Sequence, residues 1–183
     1  MFMFERLRCA AGLAFVAGLA FAADFGTPVG AETPRFGQPI ALEDATAWDI
    51  SIAPDGVGLP PGNGTPAQGA VVYAEKCAAC HGQKGEGQPN DRLVGGQLTG
   101  DQPAVKTVGS YWPYATTLFD YTRRAMPWQQ PKSLTNDEVY AVTAYILRLN
   151  GIIGEDDVMN ETTLPKVAMP NRDGFISLYP NKK

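Results

Sequence analysis

One histidine and three cysteines are all that this chain of 183 residues holds of its strongest soft-metal donors, and that scarcity bounds its chemistry. Positive charge is also thin: 15 Lys+Arg stand against 19 Asp+Glu, a net charge of -4. No basic run exists that could displace counterions from a phosphate backbone, so nucleic acid is excluded as a partner. Long apolar runs are missing too. The stretch from Cys9 to Ala23 has 15 residues without a charge, a helical rise of about 22 Å against a hydrocarbon core of roughly 30 Å. What the chain has in plenty is 20 Gly and 15 Pro, too many for long helices throughout. With 44% apolar and 19% charged residues it is one globular domain with extensions, not a disordered chain.

Arg6 and Arg8 precede the apolar run, which closes on Ala20-Phe21-Ala22, a small-x-small cleavage pattern. Residues 1–22 therefore read as a secretory signal and the mature chain as periplasmic, with no membrane span after cleavage. A retained anchor is the alternative. Cleavage leaves 13 basic and 18 acidic residues, a net charge of -5, and two cysteines, Cys77 and Cys80. A pair of cysteines in an exported chain usually means a disulfide. At a separation of two residues such a bridge would staple almost nothing.

Residues 24–64 carry six Pro and seven Gly, and residues 23–64 are expected to form an extended arm. Thr65-Pro66 supplies an N-cap and a proline at the first helical position, which predicts a helix over about 66–79. Residues 81–109, with seven Gly, read as a long loop. Tyr114, Leu118, Tyr121 and Ala125 lie at helical spacing, with Arg123 and Arg124 where the helix dipole favours cations. Thr135-Asn136-Asp137-Glu138 is a capping box, followed by the apolar face Val139, Val142, Ile146 and Leu149 and a stop at Asn150-Gly151. Residues 152–183 hold three Pro and little periodicity and are expected to form a second arm, leaving 65–151 as the domain. No strand pattern is visible, so the fold class is all-α.

Cys77-Ala78-Ala79-Cys80-His81 has the spacing of covalent c-type haem attachment. Two thiols one turn apart can add to the two vinyl groups of the porphyrin edge, and the adjacent imidazole reaches under the ring to iron. Zinc is the first rival reading, but a closed site needs four ligands and the mature chain offers two Cys and one His. A redox dithiol is the second, and it requires a strand and a βαβ context in place of the helical segment that precedes Cys77. Because His81 is the only histidine, a second imidazole from the same chain is excluded. The remaining axial donors are the sulfurs of Met126, Met159 and Met169. Met126 is favoured: it follows a helix, precedes Pro127 and leads by a short loop into the capped helix. Met169, also followed by proline, is the runner-up in the tail, and Met159 lies in a polar stretch. A histidine and methionine pair leaves no open position on iron and suits one-electron transfer.

His81 is expected to give its other ring proton to a carbonyl of the loop around Pro89 to Leu93. Leu93, Tyr111, Trp112, Tyr121 and Trp128 are candidate walls, each with plain core packing as the alternative. Arg92, Arg123 and Arg124 are candidates to pair a propionate, against the alternative of solvated surface arginine.

These pieces in this order resemble the class I cytochromes c: Gly69 and Tyr73, Cys77-Ala78-Ala79-Cys80-His81-Gly82, Leu93-Val94-Gly95-Gly96, Met126-Pro127, and a last helix containing Tyr145. The resemblance spans residues 65–151 and implies a first and last helix crossing at Gly69, Tyr73 and Tyr145. The proline that the family places before its Leu-x-Gly step is Arg92 here, which leaves the carbonyl that holds His81 open. A narrower resemblance takes in both arms. Trp48-Asp49-Ile50, the segments 54–60 and 107–118, Arg123-Arg124-Ala125-Met126-Pro127 and the segment 169–175 are similar to the cytochrome subunits of molybdenum sulfite or sulfane dehydrogenases of bacterial sulfur oxidation. That resemblance implies a molybdopterin-bearing partner that delivers electrons singly to one covalent haem c, and a downstream cytochrome or oxidase that receives them. The chain itself is then an electron-transfer subunit, not an enzyme. A freely diffusing cytochrome and a haem enzyme or ligand sensor are the competing expectations. Carbon monoxide binding to the reduced protein would favour the sensor.

Overall fold

The computed structural model describes residues 37–46, 48–176 and 178. The signal expected over 1–22 lies outside them. The chain divides into two units, 1–40 and 41–183, and the elements all belong to the second. In chain order they are α1 (Leu42–Thr46), β1 (Asn63–Gly64), α2 (Pro66–Lys76), α3 (Ala78–His81), α4 (Val108–Tyr111), α5 (Ala115–Ala125), α6 (Asn136–Leu149), β2 (Met159–Asn160) and a 3-10 turn over Leu164–Lys166.

Helix α2 starts as its sequence dictates. Thr65 accepts from the Gln68 N–H while the Gln68 side chain accepts from the Thr65 N–H, and Pro66 fills the first position. The expected run to Ala79 is interrupted at Cys77, whose φ of -125° leaves helical geometry, and the Cys80-His81 end is carried by the separate turn α3. Helix α6 begins at the reciprocal Thr135–Glu138 box and is buried on nearly every side. It is the axis of the core.

The α2–α6 crossing depends on a missing side chain. A Cβ on Gly69 would fall on the Ala141 carbonyl, so only glycine lets the two backbones approach this closely. Beside it the Tyr73 and Tyr145 rings meet at 5.2 Å between centroids, and the Tyr73 hydroxyl donates to the Gly82 carbonyl at 2.9 Å. Burial holds the Tyr73 phenol well above its ordinary range, so it remains a donor.

Helix α5 lies on the other side of α6, where Phe119 and Tyr140 meet at 4.4 Å. Its buried face is Ala115, Thr116, Leu118, Phe119 and Thr122, which corrects the stripe read from the sequence. Tyr114 has an extended backbone, so the helix starts at Ala115, and Tyr121 is 49% exposed. Threonine methyls and the larger Phe119 take the core side instead.

The segments expected to be arms are partly built into this core. Ile52 and Leu59 pack against it, the Tyr140 hydroxyl donates to the Pro60 carbonyl at 2.9 Å, and the Asn63 N–H donates to Asp137 Oδ1 at 2.7 Å. On the carboxyl side Met159, Leu164, Val167 and Met169 are all buried, and Asn63–Gly64 pairs antiparallel with Met159–Asn160. A two-residue ribbon is too short to show alternation in sequence. Beyond Asn171 the described chain buries no residue, with Phe175, Ile176 and Leu178 exposed. No helix among the described residues is long and apolar enough to cross a membrane.

Candidate haem-binding site

The motif Cys77 to His81 sits on α3, directly after α2 and below the α2–α6 crossing in sequence. Both thiols are half-buried and unbridged. Burial pushes the Cys77 thiol up to about 11, against a smaller downward pull from Lys76. Such a setting suits a neutral thioether better than a thiolate.

His81 Nδ1 stands 2.8 Å from the Asp91 carbonyl oxygen. With the N–H donated there, Nε2 is the ring's free donor atom and its orientation is fixed. The acceptor falls inside the expected 89–93 loop, one residue before Arg92. That loop is tied to the motif by backbone bonds: the Gly87 N–H donates to the His81 carbonyl at 2.8 Å, and the Asn90 N–H to the Cys80 carbonyl at 2.9 Å. The Glu86 carboxylate accepts from the Lys84 N–H at 2.7 Å, and backbone N–H groups hold its pKa below the ordinary range.

Asn150 was not singled out in the sequence except as a helix end. Its Oδ1 accepts from the Gly95 N–H at 2.9 Å, while Nδ2 donates to the carbonyls of Leu93 at 3.2 Å and Ile146 at 2.9 Å. One carboxamide thus pins the 93–95 loop to the end of α6. Thr107 Oγ1 donates to the Gly95 carbonyl from the α4 cap.

Of the candidate walls, Leu93 and Trp112 are half-buried and packed on the core, with Trp112 edge-on to Tyr121 at 5.8 Å. Tyr111 turns instead to Phe175, at 5.2 Å, under the Lys106 ammonium. Trp128 is 76% exposed in the described chain. Arg92 donates to the Glu86 carbonyl, and Arg124 is paired with Asp120.

The three methionines are placed differently. Met159 and Met169 are 4% and 3% exposed and belong to the hydrophobic core. Met126 is half-buried at the end of α5, extended in backbone, with its N–H on the Thr122 carbonyl at 3.0 Å. Two thiols, one oriented imidazole and one uncommitted thioether are a donor set that fits haem c. Among the described residues no three His, Cys, Asp or Glu side chains converge as a metal-ion site of their own.

Comparison with known proteins bears on the family and its cofactor. A family model described as cytochrome C oxidase, cbb3-type, subunit III, matches residues 64–146. A thiosulfate dehydrogenase from Psychrobacter arcticus is 34% identical over 83 residues, 44% of this chain. The chain spans only a quarter of that curated relative's length. A chain in the crystal structure of the sulfane dehydrogenase SoxCD from Paracoccus pantotrophus is 40% identical, with a TM-score of 0.71, over 80% of this chain and 71% of that one. The chain belongs to the class I cytochromes c, electron-transfer proteins with covalently bound haem c. Within that family its particular likeness is to the SoxCD chain, and it extends well past the haem domain.

Proposed function

We propose that this chain is the periplasmic, single-haem electron acceptor of a molybdenum-dependent sulfane or sulfite dehydrogenase. The observation that carries the reading is the reach of the SoxCD likeness. It covers 80% of the chain, whereas the family model and the thiosulfate dehydrogenase match stay within about 83 residues around the haem motif. A likeness confined to that core would speak for a haem protein and no more. The extra coverage takes in segments flanking the core, which is where subunits of one complex carry their shared constraints.

In this reading Cys77 and Cys80 would hold the haem through thioethers, and His81 Nε2 and the Met126 sulfur would be the donors to its iron. When bound, haem c supplies a one-electron couple whose potential a histidine and methionine pair raises. The Asp91 carbonyl supports the role of His81 by fixing its tautomer and increasing its basicity. The burial of Met159 and Met169 supports Met126, since neither can reach iron without opening the core. With both His81 and Met126 engaged, this chain would offer small molecules no place on the iron, so sulfur substrate would be turned over on the partner and only electrons would arrive here. A downstream cytochrome or oxidase then takes them away.

The test is reconstitution. Holoprotein mixed with the companion dehydrogenase should elute as a complex and be reduced when sulfite or a sulfane substrate is added. Elution as a monomer, with no reduction on addition of substrate and dehydrogenase, overturns the reading.

A further inference from the structure

Where the end of α5 meets the start of α6, a cavity of about 170 Å³ is lined by Ile50, Arg123, Arg124, Lys132, Leu134 and Asn136. Three of those six residues are cations and none is an acid. That concentration stands out on a chain with a net charge of -4.

The nearby carboxylates each have at least one engaged oxygen, and the other oxygen of Asp120, Oδ1, is buried without a partner. Asp120 pairs with Arg124, Asp137 accepts from the Asn63 N–H, and Glu138 pairs with Lys76 at 2.9 Å. Among the described residues no carboxylate lies within ion-pair reach of Arg123 or Lys132. Lys132 has a φ of 63°, a left-handed backbone that a non-glycine residue keeps only where its surroundings hold it. Asn136 donates one N–H to the Pro61 carbonyl at 3.2 Å and has a second to give. Ile50 and the buried Leu134 make the remaining wall apolar.

We propose that this cavity binds one small tetrahedral oxyanion, sulfate or phosphate. Arg123 offers the planar fork that matches two oxygens of such an ion, Lys132 a point charge from the opposite segment, and Asn136 a further N–H, while Arg124 stays with Asp120 at the rim. The volume is ample for one oxyanion. The bound ion would bridge three stretches of chain: the segment at Ile50, the end of α5, and the 126–134 loop that starts with Met126. The proposal does not depend on the dehydrogenase reading.

Isothermal titration of sulfate into the holoprotein, against chloride at matched ionic strength, tests it. One saturable site is expected, with phosphate competing, and the tighter of the two ions identifies the physiological ligand class. Arg123→Gln and Lys132→Gly should each weaken binding about fivefold, and the pair together should abolish it. Lys132→Gly keeps the left-handed backbone while removing the charge, so an unchanged haem spectrum and melting curve separate lost binding from lost fold. Heats no different from chloride overturn the site, as does parental affinity in both variants. A haem propionate filling the cavity gives the first of those results.

Discussion

A methyl group at position 69 would land on the Ala141 carbonyl, so Gly69→Ala must push α2 from α6 or strain both. The expected cost is about 2–3 kcal/mol, the range for overpacking a tight contact, read from chemical denaturation of the holoprotein. A second residue-scale prediction concerns the thioether. Met126→Ala should erase the sulfur-to-iron absorption feature and let the reduced protein bind carbon monoxide, while Met169→Ala should keep the feature and lose stability. The opposite pattern would hand the ligand role to Met169. The motif Cys77 to His81 is legible because its chemistry is contiguous, and the count of two Cys and one His falls short of the four ligands that zinc needs. The carbonyl that holds His81 is not, because which of five peptide groups faces the ring depends on how the 82–93 loop closes through backbone bonds. Tyr121 and Phe119 show the same limit from another side: both can bury a large ring at helical spacing, and packing on Tyr140 selects Phe119.

At the scale of elements, the last helix is the one whose limits the sequence states outright, because a capping box is a four-residue device that needs no distant partner. Thr135→Ala removes the acceptor for the Glu138 N–H and should cost about 1 kcal/mol, seen as a fall of roughly 3–5 °C in melting temperature. Glu138 links that cap to α2 through Lys76. Its carboxyl is held below its ordinary value of 4.5, first by the Lys76 hydrogen bond and then by the Thr135 N–H. A depressed carboxyl pKa contributes stability that is complete above the unfolded value and is lost as pH falls through the folded one. Glu138→Gln should therefore flatten the acid limb of a stability-against-pH curve below about pH 4.5, with less than about 1 kcal/mol lost at neutral pH because the ion pair is partly exposed. An acid limb as steep as the parent's would remove Glu138 from the account. By contrast, β1 and β2 are invisible in sequence. Two residues carry no periodicity, and their pairing is set by chain segments nearly a hundred positions apart.

For the molecule as a whole, composition misleads in a specific way. Proline and glycine mark residues 23–64 and 152–183 as lacking regular structure, and the described parts of both mostly do lack it. Irregular backbone can still be core. Pro60 and Pro61 donate nothing, yet their carbonyls accept from Tyr140 and Asn136, and Leu164 sits at 0% exposure in a 3-10 turn. The chain from 152 to 169 therefore closes the α5–α6 layer, and its stability should be inseparable from that of the haem domain. Leu164→Ala tests this, because deleting a fully buried leucine costs about 3 kcal/mol where the fold depends on it. That corresponds to a fall of about 10 °C in the melting temperature of the holoprotein, in a single transition. Truncation after Phe175 removes Ile176 and Leu178, which are 88% and 86% exposed, and should leave the melting temperature of the isolated subunit unchanged. If Leu164→Ala instead melts like the parent, the return segment is an appendage laid on a finished domain, and its constraint comes from something outside this chain.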